Sequence, residues 1–150
     1  PELCVRLRAI GWRIWRVDYE MALHDANMLR IGQWWIRAKR AGYAFAEGAF
    51  LHGSAPERHY VSELRRAFFW GLLLPLIIAS GVVLHTELLW LALGYPLQVI
   101  RLALLDPSKG MPKWWQALFL VIGKFPEFQG VCKFYFNKMF SKSVILIEYK

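Results

Sequence analysis

Ala67 to Leu84, AFFWGLLLPLIIASGVVL, is a run of eighteen residues without one ionisable side chain. A helix needs about 20 mostly apolar residues to cross the hydrocarbon layer of a bilayer. Leu, Ile, Phe and Val supply 11 of the 18 positions, roughly −3 to −7 kcal/mol on the insertion scale before the penalties for Gly, Ser and Pro75. Insertion is therefore favoured, with a kink expected at Pro75 that membrane helices tolerate. A second apolar run, Leu88 to Leu105, follows after only His85-Thr86-Glu87. It contains Gln98 and Arg101, but Arg101 lies a turn from the end and can snorkel. The pair reads as a tight transmembrane hairpin. Arg65 and Arg66 on one flank and Arg101, Lys109 and Lys113 on the other then share one side, as the positive-inside rule requires.

The charge distribution agrees with a membrane surface. The net charge is +8 over 150 residues, and 11 basic against 7 acidic side chains leave half of it before residue 67. The rest is scattered around apolar segments, where juxtamembrane Lys and Arg contribute about 1 kcal/mol each on anionic lipid. Cys4 and Cys132 stand far apart without metal or redox spacing, so a reducing compartment is expected. Trp114 to Lys142 mixes aromatics with Lys and reads as an interfacial or re-entrant amphipathic element. The closing SVILIEYK is left as a strand or a loose tail.

Upstream of the hairpin the pattern changes. Pro1 and Glu2 suit the first turn of a helix, Leu3, Leu7 and Ile10 give it an apolar stripe, and Gly11 a C-terminal cap. Trp12 to Val17, WRIWRV, has the aromatic and β-branched content of a short strand. Asp25 or Asn27 then caps a helix expected to reach about Ala41 and close at Gly42. On that helix Arg30, Gln33, Arg37 and Arg40 fall within an arc of about 80°, with Trp34 beside it and Ile31 and Trp35 further round. Tyr43 to Gly53 is Ala- and Gly-rich and suited to tight packing, and Pro56 opens a helix running into the membrane.

Several of these residues carry chemistry. Arg forks match phosphate oxygens in a bidentate way, and Trp offers a flat platform for a sugar face or a lipid interface. The same stripe reads equally as a basic face lying on anionic lipid. His24 beside Asp25 suits a divalent metal or a diphosphate, or else a turn residue followed by a helix cap. No GxSxG, Walker or GxGxxG motif is present.

PELCVRLRAIGWRIWRVDYEMALHD followed by RIGQWWIRAKRAGYAFAEG resembles the family 2 glycosyltransferases of bacterial membranes. Their nucleotide-sugar domain, of the GT-A type, ends in an acidic E-D/E-x-D/E-L motif. Pro1-Glu2-Leu3 matches its last three positions. The resemblance implies that Glu2 is the trailing acid, with the catalytic base just before Pro1. It sets His24 near a divalent metal (Mg or Mn) and the nucleotide diphosphate. It likens Gln33, Trp34, Trp35 and Arg37 to the acceptor-binding Q-x-x-R-W motif, although the order here is QWWIR. The implied partners are a nucleotide-diphospho-sugar donor, a glycan or glycolipid acceptor and membrane lipids.

The expected fold is mainly α. Residues 1–53 form the C-terminal remnant of an α/β GT-A domain (helix–strand–helix), 54–105 a juxtamembrane helix and transmembrane hairpin, and 106–150 an interfacial amphipathic region and tail. The expected function is the C-terminal part of a membrane-anchored glycosyltransferase in polysaccharide or cell-envelope biosynthesis. It sits in a bacterial inner membrane with its N-terminal part facing the cytoplasm, inactive without its nucleotide-binding half. Arg30, Arg37, Arg40, His24 and Asp25 would hold diphosphate or acceptor oxygens. The alternative is a non-catalytic membrane anchor or adaptor whose basic helix binds anionic lipid or a partner protein. Nucleic acid is not an expected partner, because the basic residues alternate with acids.

Overall fold

The computed structural model describes residues 2–15, 30–83, 85–105 and 113–140, and the fold is mainly helical, with no strand among them. Helix α1 (Glu2–Ala9) ends as its sequence dictates. Gly11 adopts φ 87°, open to glycine at little cost, and the N–H groups of Gly11 and Trp12 bond the carbonyls of Arg8 and Leu7. The expected apolar stripe is only partly right: Val5 is buried whereas Leu3 and Ile10 are exposed. Trp12–Trp15 has no regular structure and is exposed. It is not the strand that its composition suggests, because a strand needs a neighbouring backbone to pair with and none of the described residues offers one. The expected α/β layer is absent among the described residues.

Helix α2 (Ile31–His52) begins at Arg30 and runs ten residues past the expected end at Gly42. The Asp25/Asn27 cap lies outside the described residues. Gly42 does not terminate the helix. It is buried and helical, and a β-carbon there would overlap the Glu127 carbonyl of α7 (Lys124–Met139). Gly130 of α7 in turn lies against the backbone of Lys39 and Tyr43. Small residues let two helix backbones approach this closely. The Trp35–Gln129, Tyr43–Phe134 and Phe50–Lys138 contacts show that α2 and α7 run in the same direction. Ala46, Ala67, Val131 and Phe134, flanked by Tyr43 and Leu64, form the buried core of this head.

The chain turns at 53–60, where Arg8 pairs with Glu57 at 3.0 Å and ties α1 to the loop. The next helix starts at Val61, not at Pro56. It continues as α3 (Val61–Phe68), a π-helical turn (Phe69–Leu73) and α4 (Leu74–Val83). The wide turn has a local cause. Pro75 has no N–H and its ring crowds the carbonyl four residues back. The Leu74 N–H bonds Phe69 O instead, five residues away, which absorbs the proline. After the turn at His85, a 3₁₀ segment (Thr86–Leu93) leads into α5 (Gly94–Leu105).

These two stretches pack antiparallel. Gly81 lies against Leu88, Leu74 against Gly94, and Trp70 against Tyr95, whose hydroxyl donates to the Trp70 carbonyl at 2.8 Å. Val61–Val82 and Thr86–Leu105 are each long and apolar enough to cross a membrane. At about 1.5 Å per α-helical and 2.0 Å per 3₁₀ residue, both reach about 33 Å, enough for a hydrocarbon core of about 30 Å. Only 17% and 6% of their most apolar stretches are buried within the fold.

Helix α6 (Lys113–Ile122) packs on α5, and Gly123 keeps helical dihedrals into α7. The α6–α7 pair thus crosses the mouth of the hairpin, with Gly71 of the first span against Lys124 and Phe128. It extends the hairpin into the head. The segment SVILIEYK lies outside the described residues.

Candidate functional site

Arg30, Gln33, Arg37 and Arg40 share the exposed face of α2, as their spacing requires. Gln33 has a local task. Its Oε1 accepts the Arg30 N–H at 3.3 Å while its own N–H bonds the Arg30 carbonyl at 3.0 Å, closing the first turn where no acidic residue is available. Glu2 begins α1. His24 and Asp25 lie outside the described residues.

Both tryptophans are engaged in packing. Trp34 meets Phe119 of α6 edge-on at 5.1 Å, and the Trp35 Nε1–H donates to Gln129 Oε1 at 3.2 Å. Both rings are half-buried between α2 and the α6–α7 pair. The expected aromatic platform beside the arginines is therefore a packing surface. The reason is angular: Trp35 shares the side of α2 that carries Gly42 and Ala46, and that side is covered by α7.

A second site comes together at the hairpin mouth. Arg66 from the first span, Arg101 and Gln98 from α5, and Lys124 at the start of α7 line a cleft of about 310 Å³. Trp70, Leu102, Leu105, Leu120 and Val121 supply its apolar walls. The lining thus holds three cations and no carboxylate. Lys124 Nζ bonds Glu127 Oε2 at 2.7 Å just behind it. Burial pushes the Glu127 carboxyl above its ordinary value against the opposing pull of Lys124, and the charge of Glu63 adds to the rise. Among the described residues, Arg66 and Arg101 form no side-chain hydrogen bond or ion pair.

The sequence sets Arg66 and Arg101 on opposite flanks of the hairpin and on one side of the membrane, but does not join them to Lys124. The available signal was Gln98 three residues before Arg101 in an otherwise apolar run, which sets both on one face of α5. A larger, shallower groove of about 760 Å³ runs between the first span and α7, lined by Phe68, Phe69, Leu73, Val131 and Tyr135 with Arg65; it shares Arg66 and Trp70 with the cleft.

No protein-family model, curated protein or solved structure matches the chain. Among the described residues no group of three or more His, Cys, Asp or Glu side chains could hold a metal ion. His24, the residue that the resemblance sets near a divalent metal, lies outside those residues.

Proposed function

We propose that this chain is the C-terminal, membrane-anchoring part of a glycosyltransferase. It would act at the cytoplasmic face of a bacterial inner membrane, moving a sugar from a nucleotide-diphospho-sugar to a glycan or glycolipid acceptor. One observation carries the reading furthest. The exposed Arg30, Gln33, Arg37 and Arg40 face belongs to a helix clamped by α7, and α7 itself packs on the first membrane-length helix. A phosphate-matching surface rigidly coupled to a hairpin anchor is what transfer onto a membrane-bound acceptor needs.

In that scheme an acidic base upstream of Pro1 takes the proton from the acceptor hydroxyl, and the sugar passes to the acceptor oxygen as the diphosphate leaves. Arg37 and Arg40 draw diphosphate or acceptor oxygens to α2, and Gln33 holds the first turn in shape. The test is turnover of nucleotide sugar by the longer protein that includes the upstream region. Arg37→Ala and Arg40→Ala are expected to lower kcat/KM at least tenfold, about 1.4 kcal/mol in the transition state. Full activity in both variants removes α2 from the site.

A second reading has its own support. Because Trp34 and Trp35 pack inward, the exposed aliphatic side chain bordering the cationic face is Ile36. Arginines bordered by an aliphatic side chain also suit a helix lying on anionic lipid, as in a non-catalytic anchor or adaptor. Loss of vesicle binding without loss of turnover in the same variants favours this reading.

A further inference from the structure

The cleft at the hairpin mouth lies apart from the α2 face and has its own chemistry. Its cations come from three separate elements: the first span, α5 and α7. Like charges do not converge on one concavity without cost, since each raises the energy of the others in a partly apolar setting. Two carboxylates stand nearby: Glu127 pairs with Lys124, and Glu63 feels the charges of Arg66 and Lys124, but neither lines the cleft. Two guanidiniums, an ammonium and the Gln98 amide together offer donors suited to a group with several anionic oxygens.

The walls add the second half of the argument. Leu102, Leu105, Leu120 and Val121 border the cations. The outward sides of α5 next to them are exposed and apolar, with Leu97 62% and Leu104 73% accessible. A ligand with its charge between Arg66, Arg101 and Lys124 can therefore continue along a surface that favours hydrocarbon. Basic pockets between membrane helices on the cytoplasmic side bind lipid headgroups by this combination.

We propose that this cleft is a binding site for a membrane lipid bearing a phosphomonoester or diphosphate headgroup. The headgroup oxygens sit among Arg66, Arg101, Lys124 and Gln98, and the chains lie along Leu102, Leu105 and Leu120. The assignment holds whether or not the α2 face handles a nucleotide sugar.

The test uses the 150-residue chain in neutral-detergent micelles, with lipid binding counted by native mass spectrometry. Phosphatidic acid should bind about tenfold more tightly than phosphatidylcholine of the same chain length. Arg101→Gln should weaken phosphatidic acid about fivefold, while Arg65→Gln, which removes the same charge one residue from Arg66 but borders the other groove, should leave it unchanged. Leu120→Trp keeps every charge, fills the cleft and should also weaken binding, so the proposal survives an Arg101 variant that fails to fold. Equal binding of the two lipids, equal losses in Arg101→Gln and Arg65→Gln, or full binding in Leu120→Trp overturns the site. Displacement of the lipid by equimolar inorganic pyrophosphate overturns the lipid assignment in favour of a soluble diphosphate.

Discussion

Gly130 of α7 lies directly against the Lys39 carbonyl of α2, with no room for a β-carbon between them. Gly42 stands in the same relation to the Glu127 carbonyl. These two contacts set how closely the head packs on the helix that crosses the hairpin mouth. Overpacking such a site costs about 1–3 kcal/mol, since the opposing atoms are backbone and cannot swing aside. Gly130→Ala and Gly42→Ala are therefore expected to lower the Tm of the detergent-solubilised chain. Gly32→Ala, at an open position on the same helix, should leave it unchanged or raise it slightly. Equal effects at all three positions would show that the crossing is not what the glycines serve.

Trp35 and Gln129 make a polar contact between the same two helices. A hydrogen bond of this kind contributes about 0.5–1.5 kcal/mol net. Trp35→Phe and Gln129→Leu should each lower stability by about that much, and the double variant by less than the sum. Additive losses in a double-mutant cycle would remove the coupling.

Glu127 gives stability a pH dependence whose sign follows from its surroundings. Burial raises its folded-state pKa above the ordinary carboxylate value, so the folded chain binds the proton more tightly than the unfolded one. Its contribution is then fully present below the ordinary pKa and is lost as pH rises through the raised value. Melting curves from about pH 4 to about pH 8 should show Tm falling over that window, and Glu127→Gln should flatten the fall. An unchanged slope in the variant would assign the dependence to other groups.

His85, at the exposed turn of the hairpin, lies at the far end of the spans from Cys4 and Cys132, both exposed on the head side. In sealed vesicles a membrane-impermeant maleimide should label Cys4 and Cys132 from one face. A His85→Cys variant lacking the native thiols should label only from the other. Labelling of all three from the same face would show that the hairpin does not cross.

Much of the architecture was legible from residue types alone. The uncharged run from Ala67, the three-residue gap at His85-Thr86-Glu87 and the flanking arginines are local signals, and an antiparallel pair of membrane-length helices follows from them. Gly11 capped α1 as expected because left-handed backbone is a property of one residue. The strand at Trp12 and the helix end at Gly42 were misread for one reason. Aromatic content resembles a strand only if a partner strand exists, and a glycine resembles a cap only if no other helix presses on it.

The candidate sites divide along the same line. The shared face of Arg30, Gln33, Arg37 and Arg40 is a matter of helical period and can be computed from spacing. Whether Trp34 and Trp35 joined it depended on where α6 and α7 came to rest, nearly a hundred residues later in the chain. The convergence of Arg66, Arg101 and Lys124 is likewise invisible in order along the chain, because each is an ordinary juxtamembrane cation until the hairpin closes and α7 crosses its mouth. Short-range periodicity accounts for which segments are helices and which of them are greasy enough for a bilayer. Contacts between distant segments alone create the cleft, since a site built from three helices exists only where their packing brings them together.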